Sequence, residues 1–221
     1  AIGCARTFWF LVLVASSSHI GHGDNDAAKG LLDNGDNLDI RKAVNTNDTL
    51  WLYKQTYRNS LRLCVGKLCR RENETCIRNE MTGYSDKEYN FTQTIRVLGI
   101  DFPSGYKGTF VEDTKSPAPS KSMEVVPTDD PGPSQLWTLM FYEKEPKPCM
   151  VFFIHSLEGK IEGEGKCEMY IPGPHVKEEP SLACDTFFQK RCNSTKVFTP
   201  YSAACEQGTD SATSGSNVLP K

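Results

Sequence analysis

Past its first twenty residues the chain has no apolar run close to the roughly 18 residues that a membrane-spanning helix needs. It also lacks a dominant charge. Its 25 Lys and Arg and 28 Asp and Glu are interspersed and leave a net −3, which argues against a nucleic-acid or anionic-membrane partner. The motifs of catalysis are missing as well: there is no nucleophile elbow, no HExxH helix, no phosphate-cradling Gly loop and no carboxylate pair at a telling spacing. His155 and His175 are isolated from any residue that would make either a base. Cys64, Cys69 and Cys76 contain no CxxC pair and have no His nearby, so a zinc site is not expected. Enzyme, cofactor and metal functions therefore have no foothold in the sequence, and no internal repeat suggests an array.

The one long apolar run is 8–15, preceded by Arg6 and followed by the small residues Ala15, Ser16, Ser17 and Ser18. A basic flank, a short apolar core and small residues in that order are the layout of a secretory signal. Residues 1–20 are thus read as a signal peptide of a secreted, extracellular protein. Residues 21–205 are read as one ligand-binding domain, and the Gly-, Ser- and Thr-rich 206–221 as a disordered tail. Losing Cys4 with the signal leaves Cys64, Cys69, Cys76, Cys149, Cys167, Cys184, Cys192 and Cys205, an even set that reads as four disulfides. The sequons at Asn47, Asn73, Asn90 and Asn193 agree with that compartment and mark surface.

Leu38, Ile40, Ala43 and Val44 can form the face of a short helix. Strand-like segments follow at 50–57, 74–81, 89–98, 106–111, 123–126, 136–142, 150–155 and 166–171. They are separated by turn-formers, including 99–103, the Pro-rich 116–134 and 159–165. Near the end, Ser181 caps a helix over 182–192. Eight short alternating strands suggest an all-β antiparallel barrel or sandwich, and about eight strands is the number whose interior can hold one small ligand.

Four stretches point further: a short helix leading to a strand that ends Thr56-Tyr57-Arg58-Asn59; Cys76; Cys149-Met150-Val151-Phe152-Phe153 with Glu168-Met169-Tyr170; and Cys184, Phe187-Phe188 and Ser202-Ala203-Ala204-Cys205. In these the chain resembles the salivary lipocalins of ticks, the family that contains the histamine-binding proteins. The general lipocalin Gly-x-Trp signature is absent, since Thr49-Leu50 precedes Trp51. The resemblance implies an eight-stranded lipocalin-type barrel with a short N-terminal helix and a C-terminal helix. It also implies bridges Cys76 to Cys205 and Cys149 to Cys184, and leaves the pairing of Cys64, Cys69, Cys167 and Cys192 open.

The same resemblance implies sequestration of a small host inflammatory mediator, a biogenic amine such as histamine or serotonin; a monomer is the default expectation, since glycans on the four sequons would obstruct broad faces of the barrel. A buried amine needs carboxylates to offset its desolvation and aromatic faces to cradle it. Here the pattern is partial: Glu168 stands at one acidic position, while Met150, Ser60 and Thr138 stand where the family has others. The expected lining is Trp51, Tyr53, Tyr57, Phe91, Trp137, Phe141, Phe152 and Tyr170, with Tyr57, Trp137, Glu168 and Tyr170 as the binding residues. Some of these aromatics would be ordinary core. Two alternatives stay open. One is a leukotriene or other fatty-acid-derived lipid whose carboxylate meets Arg58, Arg62 or Lys54. The other is inhibition of a host defence protein through loops such as 116–134.

Overall fold

Alternation of apolar and polar residues makes a strand with one face to bury, and eight such strands bury it by closing on themselves. The computed structural model describes residues 38–112, 119–129, 132–157, 166–192 and 196–206. The expected signal peptide with Cys4, the Asn193 sequon, part of the Pro-rich stretch and the tail from 207 onward lie outside the described residues. In chain order the elements are α1 (Ile40–Val44), β1 (Leu50–Gln55), β2 (Ser60–Val65), β3 (Leu68–Asn73), β4 (Thr75–Tyr84), β5 (Glu88–Val97), β6 (Ile100–Val111), β7 (Ser122–Pro127), β8 (Gln135–Glu143), β9 (Cys149–Ser156), β10 (Lys166–Pro172) and α2 (Leu182–Arg191). The barrel order is β1-β10-β9-β8-β7-β6-β5-β4, closed by antiparallel pairing of Leu50 with Asn79 and Trp51 with Arg78. Each of the eight expected segments supplies one barrel strand.

Two local expectations fail. The turn expected at 99–103 shrinks to Leu98-Gly99, both with positive φ (52° and 80°), as a type I′ hairpin requires. β6 therefore begins at Ile100, whose partner is Val97. Pro103 is tolerated there because β7 pairs only with Tyr106–Val111, so the Pro103 stretch is bonded on one side alone. The second miss is the β2–β3 hairpin, a two-stranded sheet outside the barrel. Its strands have no fully buried residue: in β2 Leu61 and Leu63 are half-buried, and β3 is exposed except at Glu72.

One end of the barrel is plugged. At the plugged end Asp39 caps α1 by accepting from the Arg41 amide, and Leu38, Ile40, Ala43 and Val44 enter the interior cluster as a plug. The β2–β3 hairpin and the β5–β6 turn sit at the opposite end.

Outside the barrel, α2 lays Cys184, Phe187 and Phe188 against Phe141, Val151 and Met169, with Phe141 and Phe187 ring centroids 5.1 Å apart. Ser181 caps the helix by accepting from the Cys184 amide, and Lys190 and Arg191 complement its C-terminal dipole. A strap over 196–206 runs along the same outer wall. It exchanges backbone hydrogen bonds with Gln55 at Phe198 and takes the Cys76 amide at the Pro200 carbonyl. Tyr201 packs edge-on against Trp51 and stacks on Tyr53.

The cysteines pair as Cys64 with Cys69, Cys76 with Cys205, Cys149 with Cys184 and Cys167 with Cys192. Three of these tie the strap and α2 to the barrel, whereas Cys64 and Cys69 face each other across the hairpin. The entropic effect of a bridge grows with loop length. Cys76 and Cys205 are 129 residues apart and Cys64 and Cys69 only 5. Replacing the first pair by Ser is expected to cost about 5 kcal/mol and the second about 2 kcal/mol at most. Chemical denaturation of the two double variants checks this, and equal losses would contradict it.

Candidate ligand-binding site

β-Bulges decide which aromatics reach the lumen. In β8 Trp137 and Leu139 point inward, and strict alternation would bring Phe141 in with them. A register shift between Leu139 and Phe141 instead turns Phe141 outward against Val151 and α2. In β1 Leu50 and Leu52 face in, so Trp51 faces out under Arg78, whose guanidinium lies 5.5 Å from the ring. Tyr53 also lies outside, on Tyr201. Trp51, Tyr53 and Phe141 are thus corrected from lining to outer wall. The shift between Leu52 and Lys54 resets the phase, bringing Gln55 opposite Glu168 and allowing Tyr57, two residues past β1, to reach inward.

The structure brings Tyr57, Trp137, Glu168 and Tyr170 together. Glu168 is 5 % exposed. The Tyr57 hydroxyl donates to its Oε1, and the Tyr170 hydroxyl donates to Oε2 at 2.8 Å. Tyr170 stacks on Trp137 with centroids 5.9 Å apart, and Phe152 lies within 6 Å of both rings (5.6 and 5.9 Å). Trp137 on β8 also meets Phe91 on β5 at 5.8 Å, a contact that crosses the lumen. The layer continues through Phe91 to Tyr89 and Tyr106. The Trp137 indole N–H is satisfied by Gln135 at 2.9 Å.

Burial is the dominant influence on these groups. It raises the Glu168 carboxyl above the ordinary carboxylate range, while the hydrogen bonds from Tyr57 and Tyr170 and the field of Lys166 act the other way. Burial, followed by the Glu168 charge, pushes both phenols well above their ordinary value, so they remain donors. No salt bridge reaches Glu168 among the described residues. The Lys166 ammonium sits instead over the Tyr57 ring, 4.7 Å from its centroid.

Sequence reasoning missed several neighbours. Half-buried Glu74, at the β3–β4 junction, is raised by its own burial and adds to the upward shift of Tyr57 and Tyr106. It is therefore a second carboxylate at the end opposite α1. It lines a cleft of about 310 Å³ with Gln55, Arg58, Asn59, Phe198 and Pro200. Asn79 and Gln93, bonded to each other at 3.0 Å, add a polar pair next to Tyr170. Glu74 falls at the edge of its segment, where alternation gives no phase; period two along 89–93 did carry Gln93 onto the face of Phe91.

Other expected residues fall elsewhere. Thr138 faces away from the lumen and bonds Ser122, so it is not a vacated acidic position, whereas Met150 is interior. Lys54 is ion-paired with Asp185 of α2 on the outer wall, Arg58 lies over Phe198, and Arg62 is exposed on β2. Of the sequons, Asn47 and Asn73 are exposed and Asn90 is half-buried. No cluster of His, Cys, Asp and Glu among the described residues is arranged to hold a metal ion.

Because the folded Glu168 keeps its proton at pH values where the unfolded chain has lost it, its contribution to stability is fully present below the unfolded-state pKa and lost as pH rises through the raised folded-state pKa. Glu168→Gln is uncharged throughout. Denaturation of both proteins across this window is expected to show the variant gaining stability relative to the parent as pH rises. A difference independent of pH would contradict the burial of this carboxyl.

No family model and no curated protein matches the chain. Among solved structures it is similar to AM182 in its serotonin complex, with a TM-score of 0.53 at 15 % identity over 77 % of this chain and 94 % of that one. At that identity the likeness concerns the fold, and with the closed barrel and its flanking helices it makes this chain a disulfide-stapled, eight-stranded antiparallel barrel of the lipocalin type.

Proposed function

We propose that the protein is a secreted, glycosylated monomer that captures a biogenic amine in its barrel and catalyses nothing. The observation that carries this reading is Glu168: a carboxylate buried among aromatic rings, held by two phenol hydroxyls, with no cation bonded to it among the described residues. Burying such a charge is costly unless an opposite charge joins it. A protonated amine supplies that charge, and the faces of Tyr170, Trp137 and Phe152 are placed to receive it by cation–π contact. Glu74 offers a second, more exposed carboxylate at the end opposite α1.

A fatty-acid ligand finds less support. Its carboxylate would be repelled by Glu168, and Lys54 is engaged with Asp185 outside the barrel. The serotonin bound by AM182 belongs to that protein, but it accords with an amine here. So does the resemblance to tick salivary lipocalins, which adds sequestration of a host mediator as the physiological role. The mechanism is mass action: bound mediator is withdrawn from its receptor.

Calorimetric titration of the oxidised protein with serotonin, histamine, a leukotriene and arachidonic acid tests this. An amine is expected to bind, and Glu168→Gln to weaken it by about two to four orders of magnitude, since removing one partner of a buried charge pair costs roughly 3–5 kcal/mol. Glu74→Gln is expected to weaken it only severalfold. Lipid binding indifferent to Glu168, or no amine binding, would overturn the proposal.

A further inference from the structure

The β2–β3 hairpin borders the cleft beside Glu74 at its root, through Asn73, and the construction of its tip is unlike the rest of the surface. Its strands pair only with each other. Two-stranded hairpins are marginal alone, and this one is braced by the Cys64–Cys69 bridge one residue pair below the turn. Gly66, with φ 61°, opens a tight two-residue turn between the paired Val65 and Leu68. The braced tip then presents those two side chains to solvent, Val65 at 85 % and Leu68 at 82 % exposure.

Charge is equally uneven. Over Ser60–Asn73 the exposed Arg62, Lys67, Arg70 and Arg71 face a single acid, Glu72, a net +3 in a chain whose total is −3. Only Arg70 reaches that acid, at 3.3 Å. The adjoining β5–β6 turn at the same end exposes Leu98 (70 %) and Ile100 (60 %). Its one carboxylate, Asp101, is already held by Arg78 and Arg96.

We propose that the end of the barrel opposite α1 docks on an anionic phospholipid surface, with Val65 and Leu68 inserted at the headgroup–acyl boundary and Arg62, Lys67, Arg70 and Arg71 meeting lipid phosphates. Apolar insertion plus basic attraction is what interfacial anchors use. A folded protein partner fits less well, because a specific protein interface buries roughly 1,000 Å² or more and a fourteen-residue finger presents little shaped surface. A glycan at Asn73 is compatible with docking: Asn73 is paired with Ser60 at the root, about 17 Å from the tip at ~3.3 Å per residue. The balanced charge of the whole sequence conceals this local excess, which lies in one contiguous stretch.

The test is cosedimentation of the oxidised full chain with phosphatidylcholine vesicles and with mixed phosphatidylcholine–phosphatidylserine vesicles, at low and high salt. The expected result is salt-sensitive binding to the anionic vesicles alone. Neutralising each cation by Gln should weaken it about fivefold, and Val65→Ser with Leu68→Ser at least tenfold. The tip residues and the four cations are exposed, so the same variants should keep the parent's thermal midpoint and amine affinity. No binding to either vesicle, or binding unchanged in the tip and cation variants, overturns the proposal. So does a concentration-dependent dimer, seen by sedimentation equilibrium, that the tip variant abolishes, which would assign the finger to a second copy of the chain.

Discussion

A strand side chain can face only the lumen or the outside, and this two-way choice, reset by single-residue bulges, organises the molecule. Along β8 it gives Trp137 and Leu139 to the interior; the shift around Met140 then hands Phe141 to the outer wall. Along β1 the shift around Tyr53 sends Lys54 out to Asp185 and turns Gln55 in beside Glu168. The barrel thereby acquires two cores. The inner one is an aromatic layer with one carboxylate, closed below by α1. The outer one is a sulfur-rich seam where α2 and the strap are fastened to β4, β9 and β10. The division matters physically, because the fastening leaves the inner wall free to be polar where a ligand would need it.

The inner wall spends stability at one place. Glu168 could be an apolar residue as far as the barrel is concerned, and its burial with only phenol donors is unfavourable for the charged form. Tyr57 and Tyr170 limit that cost without cancelling it, since both are neutral donors held neutral by the same burial. A site of this kind is preorganised for a cation: the carboxylate, its donors and the ring faces are already in position before anything binds.

How much of this was legible follows from where the sequence carries periodic information. The eight barrel strands were readable because each has a face to bury, and α2 because Ser181 and the apolar spacing of Cys184, Phe187 and Phe188 announce a capped, one-sided helix. Glu168 and Tyr170 share a lumenal face by simple alternation. Bulges are not encoded in alternation, so Trp51, Tyr53 and Phe141 were assigned to the wrong side. The β2–β3 hairpin has no fully buried residue, and its signals were short ones, the alternation of Leu61, Leu63 and Val65 and the Gly66-Lys67 turn between two cysteines. Glu74 lay at a junction where neither period applies.

The ionisation state of Glu168 is where this account is most exposed. The direct measurement is a pH titration of its side-chain carboxyl carbon by NMR in selectively labelled protein, without and with serotonin. The account predicts a free-state midpoint above the ordinary glutamate range and a shift to the ionised form at neutral or mildly acidic pH when serotonin binds. A midpoint within the ordinary range that serotonin leaves unmoved would contradict it.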